Sequence, residues 1–109
     1  MQVVAQFQNT RFTLAQVATE IAAGEAFLNA GVAAYLRGEL WPEAASAIKL
    51  HASELFSRVS DQCLQLFGGY GYMAEYPISR FWTDSRVLRI YGGTSEIMKE
   101  LVARALLGR

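Results

Sequence analysis

The sequence has little of what marks a disulfide-bonded, metal-binding or nucleic-acid-binding protein. Its 109 residues include one cysteine and one histidine, so it cannot form an intrachain disulfide or supply a standard zinc cage. Ten basic residues balance ten acidic residues, and a chain without net charge has no overall field that attracts nucleic acid or an acidic membrane. These shortages exclude classes of protein without indicating a function.

Long apolar segments are also missing. The longest stretches without a charged residue cover residues 26–36 and 62–74, and both are shorter than the roughly 20 residues that a membrane-spanning helix needs. The N-terminal residues have neither a basic lead nor an apolar core, so we expect no signal peptide and a cytoplasmic protein. With 52% hydrophobic residues, the chain should form one globular domain over residues 1–109.

Proline and glycine divide the chain into four helical segments. Apolar residues recur every three or four positions over residues 10–37 and 42–67, which predicts two long helices. A short third helix is predicted over residues 77–89, opened by a proline, and Thr94 or Ser95 should cap a short fourth. No segment alternates with the period of a strand. The predicted fold class is all-α, an antiparallel bundle of two long and two short helices.

Two glycine-rich turns are candidates for ligand binding. Gly92 and Gly93 precede the predicted fourth helix, where free N–H groups and the helix dipole can bind an anion. The lysine of a P-loop is missing there, and an ordinary helix cap is the alternative interpretation. The spacing of Gly69 and Gly71 matches a dinucleotide fingerprint, but that turn follows a helix instead of a strand. A helix end and a turn are therefore favoured.

Other chemically versatile residues have simple structural interpretations. His51 has no acid, cysteine or second histidine at ligand spacing, and we expect a core or interface histidine. Cys63 lies on the apolar stripe of the second helix and is expected to be a small buried apolar residue. The aromatic concentration around the glycine turns indicates an interface or a flat ligand, with corner packing as the alternative. It comprises Phe67, Tyr70, Tyr72, Tyr76, Phe81, Trp82 and Tyr91.

Several ordered segments carry a resemblance to a known family. They are Gln65 to Tyr72, Glu75 to Ile78, Asp84 to Arg86 and Ile90 to Arg104, preceded by Phe7 to Phe12. Together they resemble the C-terminal domain of acyl-CoA dehydrogenases. The segment Phe7 to Phe12 is similar to the start of the helix that follows the family's Arg-x-x-Phe-Gly sequence. The resemblance covers essentially the whole chain, in order and at family spacing.

The resemblance implies an FAD site that is shared between subunits. The positions that match the family's flavin contacts are Phe7, Gln8, Gln65, Leu66, Phe67, Gly68, Gly69, Thr94, Ser95 and Glu96. Gly93 would lie beside the thioester of an acyl-CoA substrate. The implied partners are electron-transfer flavoprotein and further subunits, in a family-type homodimer or tetramer or in a heteromeric dehydrogenase.

The implied reaction is α,β-dehydrogenation of an acyl-CoA, in which a carboxylate removes the α-proton and the flavin takes the β-hydride. Many members carry that Glu directly after Tyr, where this sequence has Gly92, so no catalytic residue is assigned. The Tyr-Gly-Gly-Thr motif resembles the corresponding sequence of the long-chain members, which supply the carboxylate from an earlier helix. Glu75, Glu96 and Glu100 are not assigned to this role, since Glu96 matches a flavin contact and the other two match no motif.

The chain has no counterpart of the family's N-terminal helical domain, its middle β-domain or its Arg-x-x-Phe-Gly arginine. We therefore expect the 109 residues to be inactive alone and to self-associate through an exposed seam. The alternative is a non-catalytic assembly subunit or module that completes a partner's flavin site. Gly92, which stands where many members have the catalytic Glu, supports this alternative. A helical bundle without any ligand is a third reading. For a eukaryotic member, the mitochondrial matrix would replace the cytoplasm.

Overall fold

The computed structural model describes residues 3–108, and these residues form helices and no β-strand. The helices are α1 (Gln8–Leu36), α2 (Pro42–Phe67), α3 (Pro77–Val87) and α4 (Ser95–Leu107). The all-α class and the division into two long and two short helices are confirmed. The helix ends differ from the predicted ones by two residues or fewer.

Proline and glycine explain where the helices begin and end. Pro42 and Pro77 occupy the first turns of α2 and α3, where the missing N–H of proline costs nothing and its fixed φ suits a helix. Gly38 adopts a φ of 72° after α1. This conformation lets the Glu39 amide donate to the Ala34 carbonyl at 2.8 Å, which closes the helix in a Schellman motif.

Two short 3-10 helices were not predicted from the sequence. One spans Val4–Gln6 before α1, and the other spans Gly68–Tyr72 after α2. The second lies within the segment that the sequence predicts as a turn. The glycine-rich segment correctly predicts the end of α2. Its sequence has no periodicity that distinguishes a turn from a short 3-10 helix.

Helix α2 lies at the centre of the fold, in contact with each of the other three helices. It is antiparallel to α1, because Gly24 lies against Leu55 and Gly31 lies against Ile48. Gly31 is buried, and its missing side chain allows the two helix backbones to approach closely.

Helix α3 is antiparallel to α2 as well. The Trp82 indole N–H donates to Asp61 at 3.0 Å, and just after α3 the Arg89 guanidinium donates at 3.0 Å to Glu54, which lies earlier along α2. The resulting structure is 58 Å long and 23 to 25 Å across. None of the helices within residues 3–108 is long and apolar enough to cross a membrane.

The interior is small and rich in hydroxyl groups. The buried apolar side chains are Val17, Leu55 and Met98, whereas the buried polar residues are Thr10, Ser46, Ser53, Ser60, Ser85 and Ser95. Three of these serines recur every seven residues along α2. Small side chains at this spacing let neighbouring helices pack close to α2, at the cost of apolar burial.

Most of the apolar stripe predicted for α1 is exposed. Leu14, Ile21, Leu28 and Val32 retain between 39% and 48% of their accessible surface. The reason is that α1 packs against α2 and its own preceding 3-10 helix among the described elements, and one neighbouring helix cannot cover a stripe of this width.

The single histidine and cysteine are less buried than the sequence predicts. His51 is exposed, and its ring meets the ring of Phe27 edge to face with centroids 5.7 Å apart. The core alternative is therefore wrong for His51, and the interface alternative remains a prediction. Cys63 is half-buried, and burial raises the pKa of its thiol.

Candidate functional site

The turn between α3 and α4 has a backbone conformation that requires glycine. Gly92 and Gly93 have φ values of 65° and 111°, which L side chains rarely adopt. A Cβ atom at Gly92 would meet open space, whereas one at Gly93 would lie 2.5 Å from Met98 Cε. Thr94 ends the turn as the N-cap of α4, and its hydroxyl accepts the Ile97 amide at 3.2 Å. The predicted cap is confirmed.

Lys49 on α2 binds this turn from within the bundle. Its ammonium donates to the carbonyl oxygens of Leu88 at 2.8 Å, Tyr91 at 3.1 Å and Gly93. These three acceptors use all three protons of the group. Lys49 was not predicted as a site residue, because a lysine on an amphipathic helix ordinarily indicates a solvated face. Nothing in its sequence neighbourhood signals acceptors that lie 39 to 44 residues later.

Glu54 binds the start of α4. Its Oε1 atom accepts the Ser95 hydroxyl at 2.7 Å and the Arg89 Nε at 3.0 Å. The Ser95 hydrogen bond, followed by the contact with Arg89, holds the pKa of Glu54 below its ordinary value against the opposing effect of burial. The hydroxyl of Ser95, a residue with 6% exposure, is thus engaged by α2, whereas the Glu96 side chain is exposed.

The same turn leaves backbone donors unused. Lys49 takes carbonyl groups on the inner side of the turn. Among residues 3–108, the amides of Gly92, Gly93 and Thr94 have no hydrogen-bond acceptor. Successive free amides ahead of a helix N-terminus form a site suited to an anion or to a polarised carbonyl oxygen. This is the chemistry that the sequence predicts for the turn.

A second group of predicted residues, 65–69, lies at the C-terminal end of α2. Gln65 and Phe67 are exposed and Leu66 is half-buried. Gly68 has a φ of 62°, and Gly68 and Gly69 both have open space where a Cβ atom would stand. The backbone of this segment is therefore accessible to a ligand.

Aromatic rings surround this second group. The rings of Phe67 and Tyr70 lie 6.4 and 5.6 Å from that of Tyr76, and Tyr72 lies 6.3 Å from Trp82. Tyr70 and Tyr72 retain 61% and 76% of their accessible surface. Corner packing accounts for the ring contacts, while the exposed faces remain available to a planar ligand or to another chain.

The predicted flavin-contacting residues do not meet in one pocket of this chain. Ser95 lies level with Glu54, and a helix rises about 1.5 Å per residue, so residues 65–69 lie roughly 20 Å further along α2. Phe7 and Gln8 share the end of the bundle with residues 65–69, because α1 and α2 are antiparallel. This separation is consistent with an elongated ligand or with sites completed by another chain.

Three grooves border α2 within residues 3–108, and one of about 430 Å³ between α2 and α4 is lined by Ser95 and Glu96. A polar groove of about 680 Å³ lies between α2 and α3 and contains Arg58, Arg86 and Arg89 together with Glu54 and Asp61. An apolar groove of about 400 Å³ lies where α1, α2 and α3 meet. No cluster of three or more Asp, Glu, His or Cys side chains suited to a metal ion occurs in the described part of the chain.

Comparisons with known proteins give a consistent result. A family model described as the acyl-CoA dehydrogenase C-terminal domain matches residues 2–107. The long-chain specific acyl-CoA dehydrogenase of Sus scrofa mitochondria is 46% identical over 104 residues, which cover 95% of this chain and 24% of that protein. The chain thus spans about a quarter of the length of the curated relatives that it matches.

Solved structures show the same likeness. The acyl-CoA dehydrogenase of Geobacillus kaustophilus superposes with a TM-score of 0.93 at 41% identity, over 96% of this chain and 28% of that one. A chain in the structure described as the electron transferring flavoprotein of Acidaminococcus fermentans superposes with a TM-score of 0.92 at 33% identity, over 97% of this chain and 28% of that one.

Proposed function

The chain belongs to the acyl-CoA dehydrogenase family, whose C-terminal domain it represents, and from this we propose that it contributes one part of an FAD site in a flavoprotein that oxidises acyl-CoA thioesters. Residues 1–109 act as a single domain in this proposal. FAD supplies the hydride acceptor when it is bound. The chain supplies contacts to the cofactor, contacts to the substrate and surfaces for other subunits.

The observation that carries this proposal is the set of free amides at Gly92, Gly93 and Thr94 ahead of α4. Family members are generally FAD-dependent, and the free amide of Thr94 at the start of α4 suits the phosphates or hydroxyl groups of a nucleotide, whereas the amides of Gly92 and Gly93 are assigned to the substrate. In the proposal, Thr94, Ser95 and Glu96 line this part of the cofactor site. Ser95 holds the neighbouring residues Thr94 and Glu96 in position there, because its hydroxyl is bound to Glu54 and its amide to the Arg89 carbonyl.

The other proposed cofactor contacts belong to a second region. Phe7, Gln8 and residues 65–69 occupy the far end of α2, roughly 20 Å from the start of α4. Their exposed side chains and open glycine backbone fit contact with a cofactor that a neighbouring subunit holds. The distance between the two regions supports a site that is shared between chains.

The Gly92–Gly93 turn lies beside the acyl thioester in this proposal. Free amides at this turn can donate to the thioester carbonyl oxygen and stabilise the negative charge that develops when the α-proton leaves. Gly92 has no side chain to accept that proton. The carboxylate base must therefore come from outside this turn, and no residue of the chain is assigned to that role.

The partners and the location are also proposals. Electron-transfer flavoprotein would accept the electrons, and exposed apolar side chains on α1 would be covered in a homo-oligomer or a heteromeric dehydrogenase. The absence of a membrane-spanning helix in residues 3–108 and the mitochondrial relative are compatible with the cytoplasm or the mitochondrial matrix.

The test uses the flavoprotein that contains this chain. We expect it to purify with bound FAD, and we expect an acyl-CoA to reduce that flavin, as followed by the loss of visible absorbance. Gln65→Ala should weaken FAD binding by roughly tenfold, as expected when a cofactor loses a direct polar contact. Arg37→Ala is the control, because Arg37 is exposed, pairs with Glu39 and lies at the opposite end of the α1–α2 pair from Gln65.

Purification without flavin, together with no reduction by acyl-CoA of any chain length, would overturn the proposal. The second candidate is a non-catalytic module that completes a partner's flavin site, and the open space at Gly92 in place of a carboxylate favours it. In that case flavin reduction would require a partner chain that carries the carboxylate base, whereas the first proposal expects reduction in the flavoprotein that contains this chain without such a partner.

A further inference from the structure

Lys49 is a half-buried lysine to which the proposed function gives no role. Its ammonium lies among the carbonyl oxygens of Leu88, Tyr91 and Gly93. The first of these belongs to the end of α3, and the other two flank Gly92. A single cation thus joins the end of one helix to both sides of the turn.

Hydrogen bonds of the Tyr91 and Ser95 amides fix the two ends of the turn, and Lys49 is the side chain that binds the backbone between them. Gly92 and Gly93 have no side chains, and glycine has the largest backbone freedom of any residue. Without a cation, three carbonyl oxygens that converge on one point would repel one another and remain without donors. Lys49 removes both penalties, so its loss should release the turn while Thr94 still caps α4.

The contact between Lys49 and the carbonyl groups also determines which backbone groups of the turn are available to a ligand. While Lys49 holds carbonyl groups on the inner side, the amides of Gly92, Gly93 and Thr94 have no acceptor within residues 3–108. If the turn were released, its peptide units could rotate and its amides could find acceptors within the protein. The ammonium therefore keeps the three amides available to a ligand.

We propose that Lys49 is a positioning residue for substrate: it binds the carbonyl groups of the turn and thereby holds the amides of Gly92 and Gly93 in place for the acyl thioester. Lys49 acts through the turn and does not itself touch the ligand. This inference rests on the proposed function for the substrate, whereas the contact between Lys49 and the turn is independent of it.

The first measurement is hydrogen–deuterium exchange in the flavin-loaded protein. Lys49→Met should accelerate exchange of the hydrogen-bonded amides of residues 88–91 and 95 by roughly tenfold, as expected when the carbonyl groups that hold the turn lose their donor. Exchange over α1 should stay unchanged. Arg58→Met is the matched control, because it removes a cation from the same helix, and Arg58 pairs at 3.4 Å with Glu20 on α1.

The second measurement separates positioning from folding. With saturating acyl-CoA, Lys49→Met should slow flavin reduction about tenfold while the FAD content stays at the wild-type level. Lys49→Arg should give an intermediate rate, because a planar guanidinium keeps the charge but cannot direct three N–H groups at one cluster of carbonyls. If the methionine variant does not fold, the arginine variant is compared with wild type by both measurements.

Unchanged exchange of the amides of residues 88–91 and 95 would overturn the contact, and accelerated exchange with an unchanged reduction rate would overturn the positioning role. Failure of the proposed function gives a different pattern. The wild-type protein would then lack flavin or would not be reduced by acyl-CoA, while the exchange difference between Lys49→Met and Arg58→Met would remain measurable.

Discussion

The hydroxyl of Ser95 donates a 2.7 Å hydrogen bond to the carboxylate of Glu54, which joins the first residue of α4 to the middle of α2. Because this bond lowers the pKa of Glu54, the native state favours the ionised form. The resulting stabilisation is complete above the ordinary pKa of about 4.3 and is lost as the pH falls through the lower native value.

Glu54→Gln should therefore destabilise the protein by roughly 1 kcal/mol near neutral pH, the usual worth of such a hydrogen bond. At about pH 3, where the ordinary carboxylate is protonated, the difference from wild type should be smaller. Urea unfolding at both pH values measures it. Glu39→Gln, at an exposed ion pair, is the control, and an equal loss for Glu54→Gln at both pH values would contradict the prediction.

Gly31→Ala should destabilise the protein although alanine is the better helix former by about 1 kcal/mol. The new Cβ atom would collide with Ile48 Cδ1, and overpacking of this kind costs about 1 to 3 kcal/mol. Ile48→Val removes the colliding methyl group. Thermal unfolding of both single variants and the double variant should show that the two changes are not additive, with the double variant more stable than their sum. Simple additivity would mean that this contact does not limit the approach of α1.

Gly93→Ala should be more damaging than Gly92→Ala. Gly92 has a φ of 65°, in the left-handed region that costs an alanine about 1 kcal/mol, whereas Gly93 at 111° lies outside that region and its Cβ atom would also meet Met98 Cε. Gly38→Ala is the control for the φ of Gly92, because Gly38 has a φ of 72° and open space around it. Chemical denaturation should give Gly92→Ala and this control similar free energies of unfolding, and Gly93→Ala a lower one. Equal decreases for all three variants would exclude a role for Met98.

Cys63 should react slowly with alkylating reagents. Burial raises the pKa of its thiol, so less of the reactive thiolate is present at a given pH than for a free cysteine of pKa about 8.5. The rate of iodoacetamide labelling, measured against pH, should reach its half-maximum at a higher pH in the native protein than in urea. Coincident profiles would show that the thiol is fully solvated in the native state.

Local features of the sequence were sufficient to predict the helices. Pro42, Pro77 and Thr94 each act on the backbone of their own first helical turn, and Gly38 acts on the last turn of α1, so their effects can be derived without knowledge of the tertiary fold. Leu14 and Ile21 show where this reasoning fails. Periodicity indicates which face of α1 is apolar, but burial depends on how many neighbours cover that face.

The candidate site divides in the same way. The glycines and the cap at the start of α4 could be predicted, because backbone conformation and capping are local properties. Lys49 and Glu54 could not be predicted, since each meets partners at least 35 residues away in sequence. The structure was needed to show that α2 holds the turn with a cation at one position and a carboxylate at another.

Helix α2 carries contacts to both proposed cofactor regions on one continuous run of 26 residues. Lys49 and Glu54 bind the turn and α4 near its middle, and residues 65–69 form its end. The number of helical residues between Glu54 and Gln65 therefore fixes the distance between the two regions. Removing one residue between Glu54 and Gln65 would shorten the distance by about 1.5 Å and rotate one region against the other by roughly 100°. The number of residues in this part of α2 is thus as strict a requirement as their identity, even at positions whose side chains touch neither region.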